Sequence, residues 1–80
     1  MEIKYCEINN YDNEISDEGY VEVDSFDGYE LFCKLYEEME GKGSECGVSK
    51  EEFRKEWMVR RMRDWMVIKN DRGMIIFNMV

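Results

Sequence analysis

The acidic residues of this chain are concentrated in its first half, and they restrict how that half can fold. Between Lys4 and Lys34 there is no basic residue. Residues 1–46 contain fourteen acidic residues and three lysines, whereas residues 47–80 contain five acidic and eight basic residues. Because like charges repel one another in a compact state, the fold has to spread the carboxylates over the surface or leave them for a cationic partner. The nine carboxylates between the two lysines are Glu7, Asp12, Glu14, Asp17, Glu18, Glu22, Asp24, Asp27 and Glu30.

The length and composition are typical of one small folded domain. A chain of 80 residues predicts a single domain spanning 1–80. Its hydrophobic content of 44% and aromatic content of 14% are too high for a disordered acidic tail. No apolar run approaches the ~18 residues of a membrane span, and the N-terminus lacks the basic and then apolar pattern of a secretory signal. We therefore expect a cytoplasmic protein.

Alternation of residue types predicts two strands before the first helix. Residues 1–8 alternate and are expected to form a strand. The composition of residues 9–19 is typical of an acidic loop. Residues 20–24 alternate again, so that two valines face the core while one tyrosine and two carboxylates face solvent.

The first helix is predicted to follow Ser25 or Asp27, either of which can be its N-cap. Glu30 stands three residues after Asp27 and completes an approximate capping box. Gly41 and Gly43 are expected to end the helix. The apolar stripe predicted to face the core is Leu31, Phe32, Leu35, Tyr36 and Met39.

The second helix has the sharpest local signal in the chain. Ser49-Lys50-Glu51-Glu52 fits a capping box, and Val48 with Phe53 fits a hydrophobic staple. The helix is predicted to begin at Lys50 and to continue to about Asp64. Its apolar residues cover more than half of the helix circumference, and two arginines lie inside that arc.

This broad arc leaves two interpretations open. In the first, the arginines lie over the tryptophans and pair with the acidic half of the chain. In the second, the arc is an exposed surface that binds a partner through tryptophan and arginine hot spots. The residues of this alternative interface are Arg54, Trp57, Arg61, Met62 and Trp65.

The chain ends in a predicted β-hairpin. Residues 66–69 and 74–80 flank a turn in which Gly73 is expected to supply a left-handed residue. The last strand is nearly continuous in apolar residues, so we expect it inside the sheet with both faces covered. The order β-β-α-α-β-β predicts an α+β domain, with a three- or four-stranded, mainly antiparallel sheet packed by two helices.

Residues that carry out catalysis are scarce in this sequence. There is no histidine for acid–base work, and no serine has a plausible base. Cys6, Cys33 and Cys46 form no Cys-x-x-Cys pair, which favours reduced thiols over a zinc site. No stretch has the spacing of a phosphate-binding loop or of an EF-hand. We therefore expect no enzymatic activity, no metal site and no cofactor.

The acidic stretch has two interpretations of its own. It can be a solvated face that keeps a small protein soluble, or it can mimic the charge of nucleic acid. Proteins that bind nucleic acid present grooves lined by lysine and arginine, and carboxylates displayed on a strand, a loop and a helix can occupy such a groove. The residues predicted to bind a basic partner are Asp12, Glu14, Asp17, Glu18, Tyr20, Glu22, Asp24, Asp27 and Glu30.

In size, acidity and lack of a catalytic set, the chain is similar to small phage-encoded inhibitors. These include antitoxin-like proteins and nucleic-acid mimics that block restriction, CRISPR or repair enzymes. The resemblance implies an inhibitor that acts in the cytoplasm of a host cell. The alternative hypothesis is a homo-oligomeric interaction module that uses the helix of residues 50–65 and the final hairpin. Direct nucleic-acid binding is least favoured, because a net charge of −8 opposes approach to phosphate.

Overall fold

A computed structural model describes residues 1–40 and 46–80, without the side chains of residues 38–40, and it places five strands in one antiparallel sheet. The predicted class, a small α+β domain with two helices, is confirmed. The number of strands is five rather than three or four, and the element order is ββααβββ. The elements are β1 (Glu2–Asn9), β2 (Ile15–Glu22), α1 (Gly28–Glu40), α2 (Lys50–Glu56), β3 (Met58–Arg61), β4 (Trp65–Lys69) and β5 (Gly73–Met79).

The strands are ordered β2-β1-β5-β4-β3 across the sheet. The last strand of the chain therefore lies at the centre, where Cys6 of β1 and Val67 of β4 both pair with Ile76. Its predicted position inside the sheet is confirmed. β2 and β3 are the two edges, so the acidic strand and the basic strand stand on opposite sides of the sheet.

The two faces of the sheet differ in what covers them. One face packs against both helices and holds the core, which includes Ile3, Ile68 and Phe77 together with Leu31 of α1 and Phe53 of α2. The other face is covered by no helix or loop within residues 1–40 and 46–80, and we call it the open face. Its side chains follow from the strand registers. They are Glu2, Lys4, Cys6, Ile8, Ile15, Glu18, Tyr20, Glu22, Met58, Arg60, Trp65, Val67, Lys69, Met74, Ile76 and Asn78.

The cap of α1 is formed by the predicted residue. The carboxylate of Asp27 accepts a hydrogen bond of 3.1 Å from the Glu30 amide. The carboxylate of Glu30 reaches further back than a standard capping box, because it accepts from the Asp24 amide at 3.2 Å and from the Ser25 hydroxyl. These bonds fix the direction in which the chain leaves β2 and enters the helix.

The predicted stripe of α1 faces the core where its side chains are described. Leu31 and Leu35 are buried, while Phe32 and Tyr36 are half-buried. The side chain of Met39 and the two glycines expected to end the helix lie outside the described residues.

The start of α2 follows its sequence signal. Ser49 accepts a hydrogen bond of 3.2 Å from the Glu52 amide, and the helix begins at Lys50 as predicted. Of the predicted staple, Phe53 belongs to the core cluster and the half-buried Val48 packs against that cluster.

The predicted end of this helix is wrong. α2 stops at Glu56, Trp57 is extended (φ −119°, ψ 134°), and β3 begins at Met58. Residues 58–61 alternate with period two, so that Val59 and Arg61 face the helices while Met58 and Arg60 face away. Pairing with β4 supplies backbone hydrogen bonds to these residues, and this long-range gain outweighs the good helix propensity of methionine and arginine.

The predicted acidic loop is shorter than expected. β2 begins at Ile15, so only residues 10–14 connect it to β1, with Asn13 in a left-handed conformation (φ 58°). Residues 15–19 pair with β1 although they are largely polar, because an edge strand needs little apolar surface to be held by backbone bonds. The strand predicted over 20–24 ends at Glu22, and buried Val23 follows it.

The final hairpin forms as predicted, but two of its details differ. The Asn70 amide donates to the Gly73 carbonyl at 3.0 Å, which closes the turn. Gly73 is not left-handed: it is required because a Cβ there would lie 2.6 Å from the Ile8 carbonyl oxygen. β5 is covered on one face only, since Ile76 is half-buried on the open face. Its apolar run therefore reflects a central position rather than two covered faces.

Candidate interaction surfaces

Seven of the nine residues predicted to bind a basic partner lie along one edge of the sheet. Asp12 and Glu14 are in the turn before β2, and Asp24 is in the segment that leads from β2 into α1. Because β2 is an edge strand, the turn, the strand and this segment follow one another along that edge. We call their carboxylates the acidic edge, which consists of Asp12, Glu14, Asp17, Glu18, Glu22 and Asp24. Asp27 and Glu30 lie outside the acidic edge, because the start of α1 packs at Gly28 against Met66 of β4 and Val59 of β3.

The acidic edge extends over both faces of the sheet. Glu18, Tyr20 and Glu22 point to the open face, since they pair with Cys6, Lys4 and Glu2. The two carboxylates are about 13–14 Å apart along the strand, with the tyrosine between them. Tyr20 is 60% exposed, so its ring is accessible to a partner.

Asp17 points to the opposite face and is partly used inside the protein. The hydroxyl of Tyr5 donates a hydrogen bond of 3.1 Å to its carboxylate. Asp27 and Glu30 are engaged in the cap of α1, as described above. Internal hydrogen bonds fix the positions of all three residues, and only Asp17 among them belongs to the acidic edge.

The basic half of the chain does not neutralise the acidic edge. The ion pairs found among residues 1–40 and 46–80 are the N-terminal ammonium with Glu22 at 3.0 Å and Lys55 with Glu51 at 3.7 Å. The Arg61 guanidinium lies over the Phe26 ring, 5.5 Å from its centre. The interpretation in which the two arginines pair with the acidic half is therefore wrong, because neither Arg54 on α2 nor Arg61 on β3 forms an ion pair within the described residues.

Glu7 is an acidic residue whose environment sequence reasoning missed. Its Oε2 atom is buried and has no hydrogen-bond partner in the described part of the chain. Burial raises the pKa of the Glu7 carboxyl, and the neighbouring charge of Asp17 raises it further. The strand register places these two residues opposite each other. The sequence did not predict this pairing, because residues 9–19 were expected to form a loop.

Glu7 also lines an open groove of about 530 Å³ at one end of the sheet. Tyr11, Trp57 and Arg72 contribute other walls of this groove. The groove is therefore lined by a carboxyl group, two aromatic rings and a guanidinium.

The predicted alternative interface does not form one surface. Trp57 packs beside Phe32 on the helix side, with 5.3 Å between ring centres, whereas Trp65 lies on the open face. Met62 is in the turn between β3 and β4, and Arg54 is exposed on α2. The prediction was wrong because it treated residues 50–64 as a single helix.

The open face contains apolar surface that the sequence did not predict, because its residues come from five different strands. Tyr20 is 60% exposed, Met58 68% and Trp65 37%. Between these exposed residues lie half-buried side chains of β1, β4 and β5, which are Cys6, Ile8, Val67, Met74 and Ile76. Residues 65–68 and 74–77 are continuous apolar runs, so no period-two alternation marks this face, and it follows from the sheet order.

The cysteines have the environment of ordinary thiols. All three are half-buried and free. Burial raises the pKa of the Cys33 thiol to about 11, and a hydrogen bond with Cys46 contributes to the rise. Cys33 is therefore protonated at neutral pH and is a poor nucleophile.

Neither a metal centre nor a membrane-spanning helix is found in the described ranges. No group of three or more cysteine, aspartate or glutamate residues there is arranged to hold a metal ion. No helix in the same ranges is long and apolar enough to cross a membrane. Comparison of the chain with protein-family models, curated proteins and solved structures gives no match. The function is therefore inferred from the charges and the exposed apolar side chains of the surface.

Proposed function

We propose that this protein is a small inhibitor or decoy that binds a basic, nucleic-acid-handling protein through its acidic edge. One observation carries the proposal: six carboxylates follow one edge of the sheet, and the N-terminal ammonium is the one cation within the described residues that forms an ion pair with them. Such unpaired charge is unfavourable for the isolated fold and favourable for a cationic partner.

A groove that binds nucleic acid supplies the matching surface. Its lysines and arginines attract the acidic edge over a distance, which speeds the encounter and orients the two proteins. Tyr20 adds an exposed ring on which an arginine can stack. The bound inhibitor occupies the place of phosphates, and its affinity falls as salt screens the charges.

Capture from a bacterial lysate at low salt, followed by elution in salt steps, tests this proposal. A first variant reverses three carboxylates of the acidic edge, Glu14→Lys, Glu22→Lys and Asp24→Lys. A matched control reverses three exposed carboxylates elsewhere, Glu56→Lys, Asp64→Lys and Asp71→Lys. Both variants change the net charge by the same amount, so they separate the position of the charge from its total.

We expect the native protein and the control to retain a basic protein that is released early in the salt gradient, and the first variant to lose it. The captured protein should bind DNA or RNA, and addition of the native inhibitor should displace that nucleic acid. Equal capture by both variants would contradict the proposal, as would a captured protein that keeps its nucleic acid in the presence of the inhibitor.

A homo-oligomeric module is the second candidate function. The observation that favours it is the open face, where apolar side chains are exposed on a sheet that no described helix covers. The helix predicted to form the oligomer interface ends at Glu56, so the interface of this second candidate is assigned to the sheet.

A further inference from the structure

The charges of the open face are divided between its two sides. One row across all five strands runs Glu18, Cys6, Ile76, Val67, Arg60. The row begins with an acid on β2 and ends with a base on β3, and its three central residues are apolar. The centre of the row is on β5, the middle strand of the sheet.

The neighbouring rows have a related pattern. The row on one side runs Ile15, Ile8, Met74, Lys69, Met58, with apolar residues at both ends. The row on the other side runs Tyr20, Lys4, Asn78, Trp65. Exposed aromatic and methionine side chains therefore lie near the edges. Between them lie half-buried Ile8 and Met74 and the exposed polar residues Lys4, Lys69 and Asn78.

We propose that a second copy of this chain covers the open face, with the two sheets stacked face to face about a twofold axis that runs along β5. This rotation exchanges β2 with β3 and β1 with β4. Glu18 then faces Arg60 of the second copy, and Cys6 faces its Val67. The interface uses Glu18 and leaves the other carboxylates of the acidic edge outside its three rows, so the dimer does not depend on binding of a basic partner, and it gives the second candidate function a specific geometry.

The charges select this axis over the other one available to stacked sheets. A twofold axis running across the strands would place β2 over β2 and β3 over β3, with acid against acid and base against base. Like charges in contact are costly, whereas the axis along β5 brings opposite charges together twice by symmetry.

The same rotation matches the ends of the other two rows, while it places Ile8 over Lys69, whose alkyl chain can cover an apolar neighbour as the ammonium reaches solvent. It places Ile15 over Met58, which is apolar against apolar. It places Lys4 over Trp65, where an ammonium meets an indole ring. Stacked sheets are about 10 Å apart and cross at about 30°, which displaces the ends of each row by about 5 Å. Glutamate, lysine, arginine and methionine side chains are long enough to accommodate that displacement.

Association through the edges of the sheet is less favourable. Pairing β2 with β2 joins two acidic strands, and pairing β3 with β3 places Arg60 and Arg61 of both copies together. Pairing β2 with β3 matches the charges but leaves a free edge at each end, so it produces open filaments rather than a closed dimer.

The size of the open face predicts a weak, reversible dimer. Five strands span about 24 Å and five residues of each strand about 17 Å, so two stacked faces bury on the order of 800 Å². Stable complexes bury about 1,200–2,000 Å². Two chains of charge −8 also repel each other, and this repulsion is screened beyond about 8 Å at 0.15 M salt. Dimerisation should therefore be measured at that salt concentration, between about 10 μM and 1 mM protein.

Two single charge reversals test the pairing of Glu18 with Arg60. Both side chains are exposed, so Glu18→Arg and Arg60→Glu should leave the fold intact, which circular dichroism checks. Each variant alone places two like-charged pairs in the dimer, and we expect its self-association to weaken about tenfold or more in sedimentation equilibrium. An equimolar mixture restores both opposite-charge pairs, so native mass spectrometry should show the heterodimer as the main associated species. Glu56→Arg mixed with Arg54→Glu, both on α2, is the control and should show no preference for the heterodimer.

Three results would overturn the proposal. The first is a native protein that remains monomeric at about 1 mM, a concentration at which even weak protein pairs associate. The second is a dimer that neither single reversal weakens or that the mixture fails to restore, because the contact then lies elsewhere. The third is growth into long polymers as concentration rises, which would indicate pairing of the sheet edges.

Discussion

At the scale of single residues, Glu7 shows how a local pairing changes the chemistry of a common side chain. Its carboxylate is buried beside Asp17 and has an unpaired oxygen in the part of the chain that the structure describes. The pKa of Glu7 is raised above its ordinary value of 4.5, first by burial and then by the charge of Asp17. The folded protein therefore favours the protonated form more than the unfolded chain does.

The sign of this linkage gives a pH prediction. The contribution of protonated Glu7 to the stability of the fold is fully present below the pKa that Glu7 has in the unfolded chain. It is lost as the pH rises through the raised pKa that Glu7 has in the folded protein. We expect Glu7→Gln, which is neutral at every pH, to increase the free energy of unfolding at pH 7 by on the order of 0.5 kcal/mol. It should also reduce the fall in stability as the pH rises above 4.5. Urea denaturation at pH 4.5 and pH 7 measures both effects.

The control for this prediction is Glu56→Gln, which neutralises an exposed carboxylate on α2. It should alter the pH dependence much less than Glu7→Gln does. A Glu7→Gln protein that is less stable than the native one at pH 7 would show that the ionised carboxylate is favourable in the fold.

At the scale of elements, the start of α2 depends on one hydroxyl. Ser49 accepts from the Glu52 amide, and this short helix carries Phe53 into the core. We expect Ser49→Ala to lower the free energy of unfolding by about 1 kcal/mol, because an amide at the helix end loses its partner. Ser49→Asp keeps an acceptor at the cap and should restore most of the loss. If the alanine and aspartate variants unfold at the same urea concentration, the cap does not stabilise this helix.

Local signals predicted the elements whose boundaries are set by nearby residues. Capping residues gave the starts of both helices, and alternation gave β1 and the final hairpin. β3 was missed because residues 58–61 are strand only by virtue of pairing with β4, which no local pattern records. The open face, with Ile76 at its centre, also depends on which strands are neighbours in the sheet, and no local pattern predicts that order.

At the scale of the whole molecule, the segregation of charge along the chain becomes a segregation in space. The acidic strand is one edge of the sheet and the arginine-bearing strand is the other, with three strands between them. This separation keeps the basic half from neutralising the acidic half. It leaves the carboxylates of the acidic edge without a lysine or arginine partner among the described residues, and it gives the open face two sides of opposite charge.

The central claim is that the position of the carboxylates, and not merely their number, makes the acidic edge a binding surface for cations. Titration calorimetry with an oligoarginine peptide at low salt tests it most directly, using the native protein and two variants of equal net charge. We predict that Glu14→Lys, Glu22→Lys and Asp24→Lys together weaken binding about tenfold or more, while Glu56→Lys, Asp64→Lys and Asp71→Lys weaken it only a few-fold. Equal weakening in both variants would show that the peptide responds to total charge, which would contradict the claim.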